Sequence, residues 1–145
     1  STAMRQAEIT RIRFEDVDWA RQTVIIRDRK HPTEKQGNDM MVPLIGKAWD
    51  IVQARRGDRE NPTGRIFPYN SRSMSAAFTR TTTRLKINNL RFHDLRHAGI
   101  TNLFKLGLPI ELVSICSGHR DWKMLRRYTQ LTADDVLARV KELTN

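Results

Sequence analysis

Apolar and polar positions alternate with a period that changes along the chain. Met4, Ile9 and Ile12 recur at partial helical spacing with no breaker between them, which predicts a helix over residues 1–13. Glu15, Asp16, Val17 and Asp18 read as a turn. Thr23, Val24, Ile25 and Ile26 are all β-branched and predict a strand; residues 40–44 supply a partner that Pro43 ends. Residues 28–39 between them are polar and carry Pro32 and Gly37, which predicts an exposed hairpin loop.

Helical spacing dominates the rest. Residues 48–56 form one candidate helix, and residues 57–70, with Pro62, Gly64 and Pro68, form a loop. Ser71 is placed to cap a helix in which Met74, Phe78, Thr81 and Leu85 recur at four, three and four, with Arg80 and Arg84 one turn apart on another face. Residues 93–106 predict a helix stopped by Gly107 and Pro109; residues 111–116 and 122–128 predict short ones. A last helix begins at Thr132 with Asp135 as capping partner and an apolar stripe of Val136, Val140 and Leu143. The fold class expected is α+β, mainly α-helical, with a small antiparallel sheet, as one domain over residues 1–145.

A chain of 145 residues suits a single core. No apolar run approaches the roughly 20 residues of a membrane span, and the lone cysteine, Cys116, excludes a disulfide framework. The expected compartment is the cytoplasm, with no membrane partner. Charge changes the picture more. Lys and Arg number 26 against 16 Asp and Glu, a net +10, which points to a polyanion. Residues 65–97 hold seven basic residues and one acid, Asp94, whereas residues 131–145 carry three acids and two bases. One stretch is built for phosphates and the tail is not.

Arginine grips phosphate through its planar fork, and metal-free cleavage of a phosphodiester needs a nucleophile, a proton donor for the leaving oxygen and fixed positive charge. The sequence has no HExxH, no CxxC and no Walker loop, so no metal or nucleotide cofactor is expected. It does have His93-Asp94-Leu95-Arg96-His97, in which His93 and Arg96 share a helix face. Ser117-Gly118-His119-Arg120 follows, then Tyr128, nine residues after His119. Near the start, Arg5 and Glu8 lie three apart in Met4-Arg5-Gln6-Ala7-Glu8.

In this order and spacing the residues resemble the tyrosine recombinase (phage integrase) family across essentially the whole chain. Its pattern is Arg, a hairpin Lys, His-x-x-Arg, Gly-His and a Tyr nine residues later. The resemblance implies the catalytic core of a site-specific DNA recombinase or integrase that cleaves and rejoins strands through a 3′-phosphotyrosyl bond. Residue by residue it implies Tyr128 as nucleophile, Arg5 and Arg96 as clamps on the non-bridging oxygens, and His93 as acid/base on the tyrosine side. It further implies His119 as a hydrogen-bonding partner of the phosphate and Glu8 as an orienting carboxylate. Lys35, in Lys35-Gln36-Gly37, matches the hairpin lysine better than Lys30, but both stay open. Arg80, Arg84, Lys30 and Arg127 are candidate contacts to double-stranded DNA, and the family implies a tetramer on DNA.

Tyr69 reads as structural, His97 as a packed helix residue and His31 as an exposed loop residue. The family's N-terminal DNA-clamping domain and first catalytic-domain helices are not matched, so the chain is expected to be a fragment. A type IB topoisomerase activity, a non-catalytic DNA-binding module and a basic RNA-binding protein are the alternatives.

Overall fold

The computed structural model describes residues 2–30, 33, 36–129 and 132–144. Its elements run α1 (Gln6–Ile9), a 3₁₀ turn (Phe14–Asp16), β1 (Val17–Asp18), β2 (Thr23–Ile26), β3 (Met40–Pro43) and α2 (Lys47–Arg56). They continue with α3 (Ser71–Arg84), α4 (Phe92–Lys105), α5 (Ile110–Ser117), α6 (Lys123–Arg126) and α7 (Ala133–Thr144). The strands form an antiparallel sheet in the order β1-β2-β3, with Val24 opposite Val42 and Ile26 opposite Met40. Alternation along β2 buries Val24 and Ile26 on one face. There they meet Val42, Met4, Ile12, Phe14, Val52 and Ile66. Each such side chain contributes about 1.5–3 kcal/mol on burial.

A second cluster lies among the later helices and contains Ile100, Leu103, Val113, Cys116 and Leu125. Ala3 belongs to this cluster and Met4 to the sheet cluster, so two adjacent residues join the cores. Helix α3 attaches through Phe78, edge to face against Phe92 of α4 at 5.5 Å, and through Gln6, which bonds Ser75 Oγ at 2.9 Å.

Three expectations need correction. The helix over residues 1–13 is one turn only, α1. Tertiary pairing displaces the remainder: the Phe14 amide donates to the Gly64 carbonyl (3.0 Å) and the Ile66 amide to the Ile12 carbonyl (3.1 Å), around a bridge between Arg13 and Arg65. Helix α3 is capped by Asn70, whose side chain accepts from the Ser73 amide at 2.7 Å, and not by Ser71. The segment 28–39 is not wholly exposed, since Arg29 and Asn38 are buried. The tail capping pair forms as expected, with Thr132 N–H donating to Asp135 at 2.7 Å. The stripe of Val136, Val140 and Leu143 on α7 is exposed. No described helix is long and apolar enough to cross a membrane.

Candidate active site

Glu8 is the hub of the first half of the site. Arg5 caps α1, and its amide donates to Glu8 Oε2 at 2.7 Å. Its guanidinium donates to Oε1 at 2.9 Å. From the other side Arg29 Nε donates to the same Oε1 at 3.1 Å. Glu8 is 2% exposed and Arg29 1%. Burial alone would raise the Glu8 carboxyl pKa, but the Arg29 guanidinium and the Arg5 hydrogen bonds outweigh it and hold the value below the usual carboxylate range. Arg29 spends its remaining donors on the C-terminal carbonyls of α5, with Nη1 on Ile115 (2.8 Å) and Nη2 on Cys116 (2.7 Å).

Arg96 builds the second half. It points inward from α4 and donates to the carbonyls of Ala3 and Ser117, both at 2.7 Å. Its Nη2 stands 3.4 Å from both ring nitrogens of His119. His119 Nδ1 lies 2.8 Å from the hydroxyl of Ser117. Gly118 ends α5 in the left-handed region, at φ +70°. That turn lets Ser117 present its carbonyl and His119 its ring to the same guanidinium. Burial, with the charges of Arg5 and Arg29, lowers the Arg96 pKa to about 10, so it remains cationic at neutral pH. Burial beside Arg96 and Arg5 lowers His119 to about 4, so its ring is neutral.

The third part is aromatic. His93 and His97 lie one turn apart on α4, their rings edge-on at 4.7 Å. Nδ1 of His97 is hydrogen-bonded to the hydroxyl of Tyr128. The Tyr128 ring lies near-parallel to His97 at 5.9 Å and to Phe104 at 6.4 Å, and the Arg127 guanidinium covers it at 5.2 Å. The positive charges of Arg5 and Arg29 act on both Arg96 and His119, and that of Arg127, which lies over the Tyr128 ring, acts on His119 too. Arg5, Arg96, His119 and Tyr128 thus occupy one electrostatic neighbourhood, with exposed His93 at its edge.

The hairpin loop is pinned at its neck. The Arg29 amide donates to the Asn38 carbonyl at 2.9 Å, and the Asn38 side chain donates back to the Arg29 carbonyl at 2.7 Å. Arg120, next to His119, bonds Asn38 Oδ1. Lys30 follows Arg29 and is exposed; Lys35 and His31 lie outside the described residues. Arg80 and Arg84 are exposed on α3. Tyr69 is exposed beside Arg55, its hydroxyl 3.3 Å from that guanidinium.

Sequence reading missed Arg29 and Asn38, because a polar hairpin gives no sign of which polar residue turns inward. It also passed over His97, although the four-residue step from His93 places both on one face.

The model of the phage integrase family matches residues 1–134. The chain belongs to the phage integrase family. It is 36% identical over 140 residues to the shufflon-specific DNA recombinase of Escherichia coli, covering 96% of this chain and 34% of that protein. It is 25% identical over 158 residues to the integrase of Salmonella phage P22, covering 99% and 40%. This phage integrase chain therefore spans about a third to two-fifths of the length of these curated relatives. Its fold is that of the Tn1549 transposon integrase bound to circular intermediate DNA, with a TM-score of 0.75 at 16% identity over 98% of this chain and 56% of that one. It is also that of the XerA recombinase, with a TM-score of 0.68 at 16% identity over 99% and 53%.

Proposed function

We propose that this chain is the catalytic part of a site-specific DNA recombinase. It acts in the cytoplasm on double-stranded DNA by two transesterifications through a 3′-phosphotyrosyl intermediate, without metal or nucleotide. One observation carries this reading: Arg96 reaches from α4 to the carbonyl of Ala3, two residues before Arg5, and stands beside His119, with a hydrogen-bonded tyrosine in the same part of the chain. Such a centre suits a phosphate with two charged non-bridging oxygens.

In this mechanism Arg5 and Arg96 clamp those oxygens, and His119 donates a hydrogen bond to one of them. A neutral imidazole keeps one N–H for that purpose. Glu8 holds Arg5 in place. Tyr128 Oη attacks phosphorus, the bond to the 5′ oxygen breaks, and Lys35 or Lys30 protonates that oxygen. His93 assists on the tyrosine side. Lys30, Arg80, Arg84 and Arg127 contact the backbone, and exchange of α7 between protomers supports a tetramer in the full-length protein.

The test is a covalent one. Nicked suicide duplexes drawn from a randomised pool are incubated with the chain, and protein–DNA adducts are isolated under denaturing conditions. Tyr128→Phe should bind duplex and form no adduct. An undiminished adduct in that variant removes Tyr128 as nucleophile. Relaxation of supercoiled plasmid with no exchange between duplexes would assign the chemistry to type IB topoisomerisation instead.

A further inference from the structure

An attacking phenol must lose its proton, and the role inherited from the family gives that proton to His93. The geometry points to a different residue. The group hydrogen-bonded to the Tyr128 hydroxyl is His97, through Nδ1. We propose that His97 is the general base that takes the Tyr128 proton during strand cleavage and returns it during rejoining. This rests on the recombinase reading above.

An imidazole nitrogen that accepts from a hydroxyl carries no proton of its own, so the tautomer required is Nε2–H with a neutral ring. The surroundings favour that state. Burial lowers the His97 pKa, and so do the charges of His93, Arg127 and Arg96, against the opposing charge of Asp94. These groups come from α4 and from the turn after α6, the elements that bring ionisable groups to this ring. The near-parallel stack with Tyr128 at 5.9 Å fixes the ring's direction. A base must be neutral before it acts and within hydrogen-bond reach of the proton it removes. His97 meets both conditions.

The step balances. The Tyr128 Oη–phosphorus bond forms as the phosphorus–5′ oxygen bond breaks. The phenolic proton passes to His97 Nδ1, and the leaving oxygen takes a proton from the hairpin lysine. On rejoining, the 5′-hydroxyl attacks phosphorus and its proton returns to the lysine. The tyrosine leaves and recovers its proton from His97. The edge-on ring of His93, 4.7 Å away, then faces an imidazolium.

The experiment measures adduct formation on a nicked duplex that the parent chain itself selects by covalent capture from a randomised pool. His97→Asn keeps an acceptor oxygen close to the Nδ1 position but cannot take the proton. Its adduct rate is expected to fall about 100-fold. Replacing Tyr128 with 3,5-difluorotyrosine in that variant makes the phenol more acidic and should recover at least about tenfold. A His97→Asn rate within about threefold of the parent overturns the proposal, because an acceptor would then suffice. Equal slowness with tyrosine and difluorotyrosine also overturns it, because His97 would then act through structure. If His97→Asn does not fold, His97→Gln carries the same comparison. A parent chain that forms no adduct with any member of the pool overturns the recombinase reading itself, and the base with it.

Discussion

A methyl group on the α-carbon of Gly118 would stand 2.3 Å from Nε of Arg29. The glycine of the Gly-His pair is therefore required twice, once for its left-handed turn and once for the guanidinium packed against it. That packing locks the hairpin to the end of α5, and through Glu8 it locks both to Arg5.

Gly118→Ala should destabilise the chain by about 2–4 kcal/mol, from the backbone strain and the clash together. Arg29→Met should cost about 3 kcal/mol, since Glu8 loses a buried partner. Together they should cost less than their sum by about 1 kcal/mol, because a methionine end can yield to the new methyl group. Urea unfolding of the four proteins checks this; strict additivity would mean that the two residues do not press on one another.

His119 gives stability a pH dependence. Its pKa is about 4 in the folded chain against the ordinary 6.5, so the unfolded chain binds more protons between these values. Stability should fall as pH drops from about 6.5 toward 4, by up to about 3 kcal/mol from this group. His97 is lowered too and adds in the same direction. His119→Gln should flatten the slope of thermal unfolding against pH in that window.

The two lysines separate by leaving-group chemistry. A general acid matters when the leaving oxygen needs a proton, and a 5′-bridging phosphorothiolate leaves as a thiolate without one. Lys35→Ala should cleave ordinary DNA slowly and the sulfur substrate near normally. Rescue of Lys30→Ala instead would move the role to Lys30, one residue from the anchored Arg29. Cleavage rates on the paired substrates decide.

Arg80 and Arg84 are exposed on α3. Arg80→Ala or Arg84→Ala should weaken binding to all sequences alike and reduce the salt slope by about one unit. Titrations at several salt concentrations read this directly. A loss confined to one base position would mean that the arginine reads a base edge.

The exposed stripe on α7 should matter for assembly. A chain truncated before Thr132 should bind a single duplex site nearly as well as the parent and assemble on paired sites less well. Sedimentation with and without duplex measures both properties. Equal assembly by the truncated chain would remove α7 from the interface.

Periodic elements were legible in the sequence because their signal is local. The β-branched run at residues 23–26 and the spacing through α4 need no partner to be read. Glu8, Arg96 and His119 were legible for another reason, namely that their spacing resembles a known pattern. The failures concern pairing at a distance. Nothing local tells that Ile12 will meet Ile66 and cut the first helix short, or that Arg29 among Arg27, Asp28 and Lys30 turns inward to Glu8. A charged residue announces its charge but not its neighbour. The contact of His97 is likewise not legible locally, because it depends on where Tyr128 comes to rest, thirty-one positions on.

Arg96 hydrogen-bonds carbonyl oxygens, and this has a thermodynamic consequence. Carbonyls satisfy its N–H groups without cancelling its charge. The carboxylate of Glu8 acts on Arg96, and it also bonds Arg5 and Arg29. Three guanidiniums thus share the Glu8 carboxylate, and the folded chain bears their mutual repulsion as the cost of holding them together. On the proposed function, a DNA phosphate would bring a further counterion. Part of its affinity is then relief of a tension built during folding, so that scaffold and substrate complete one charge balance between them.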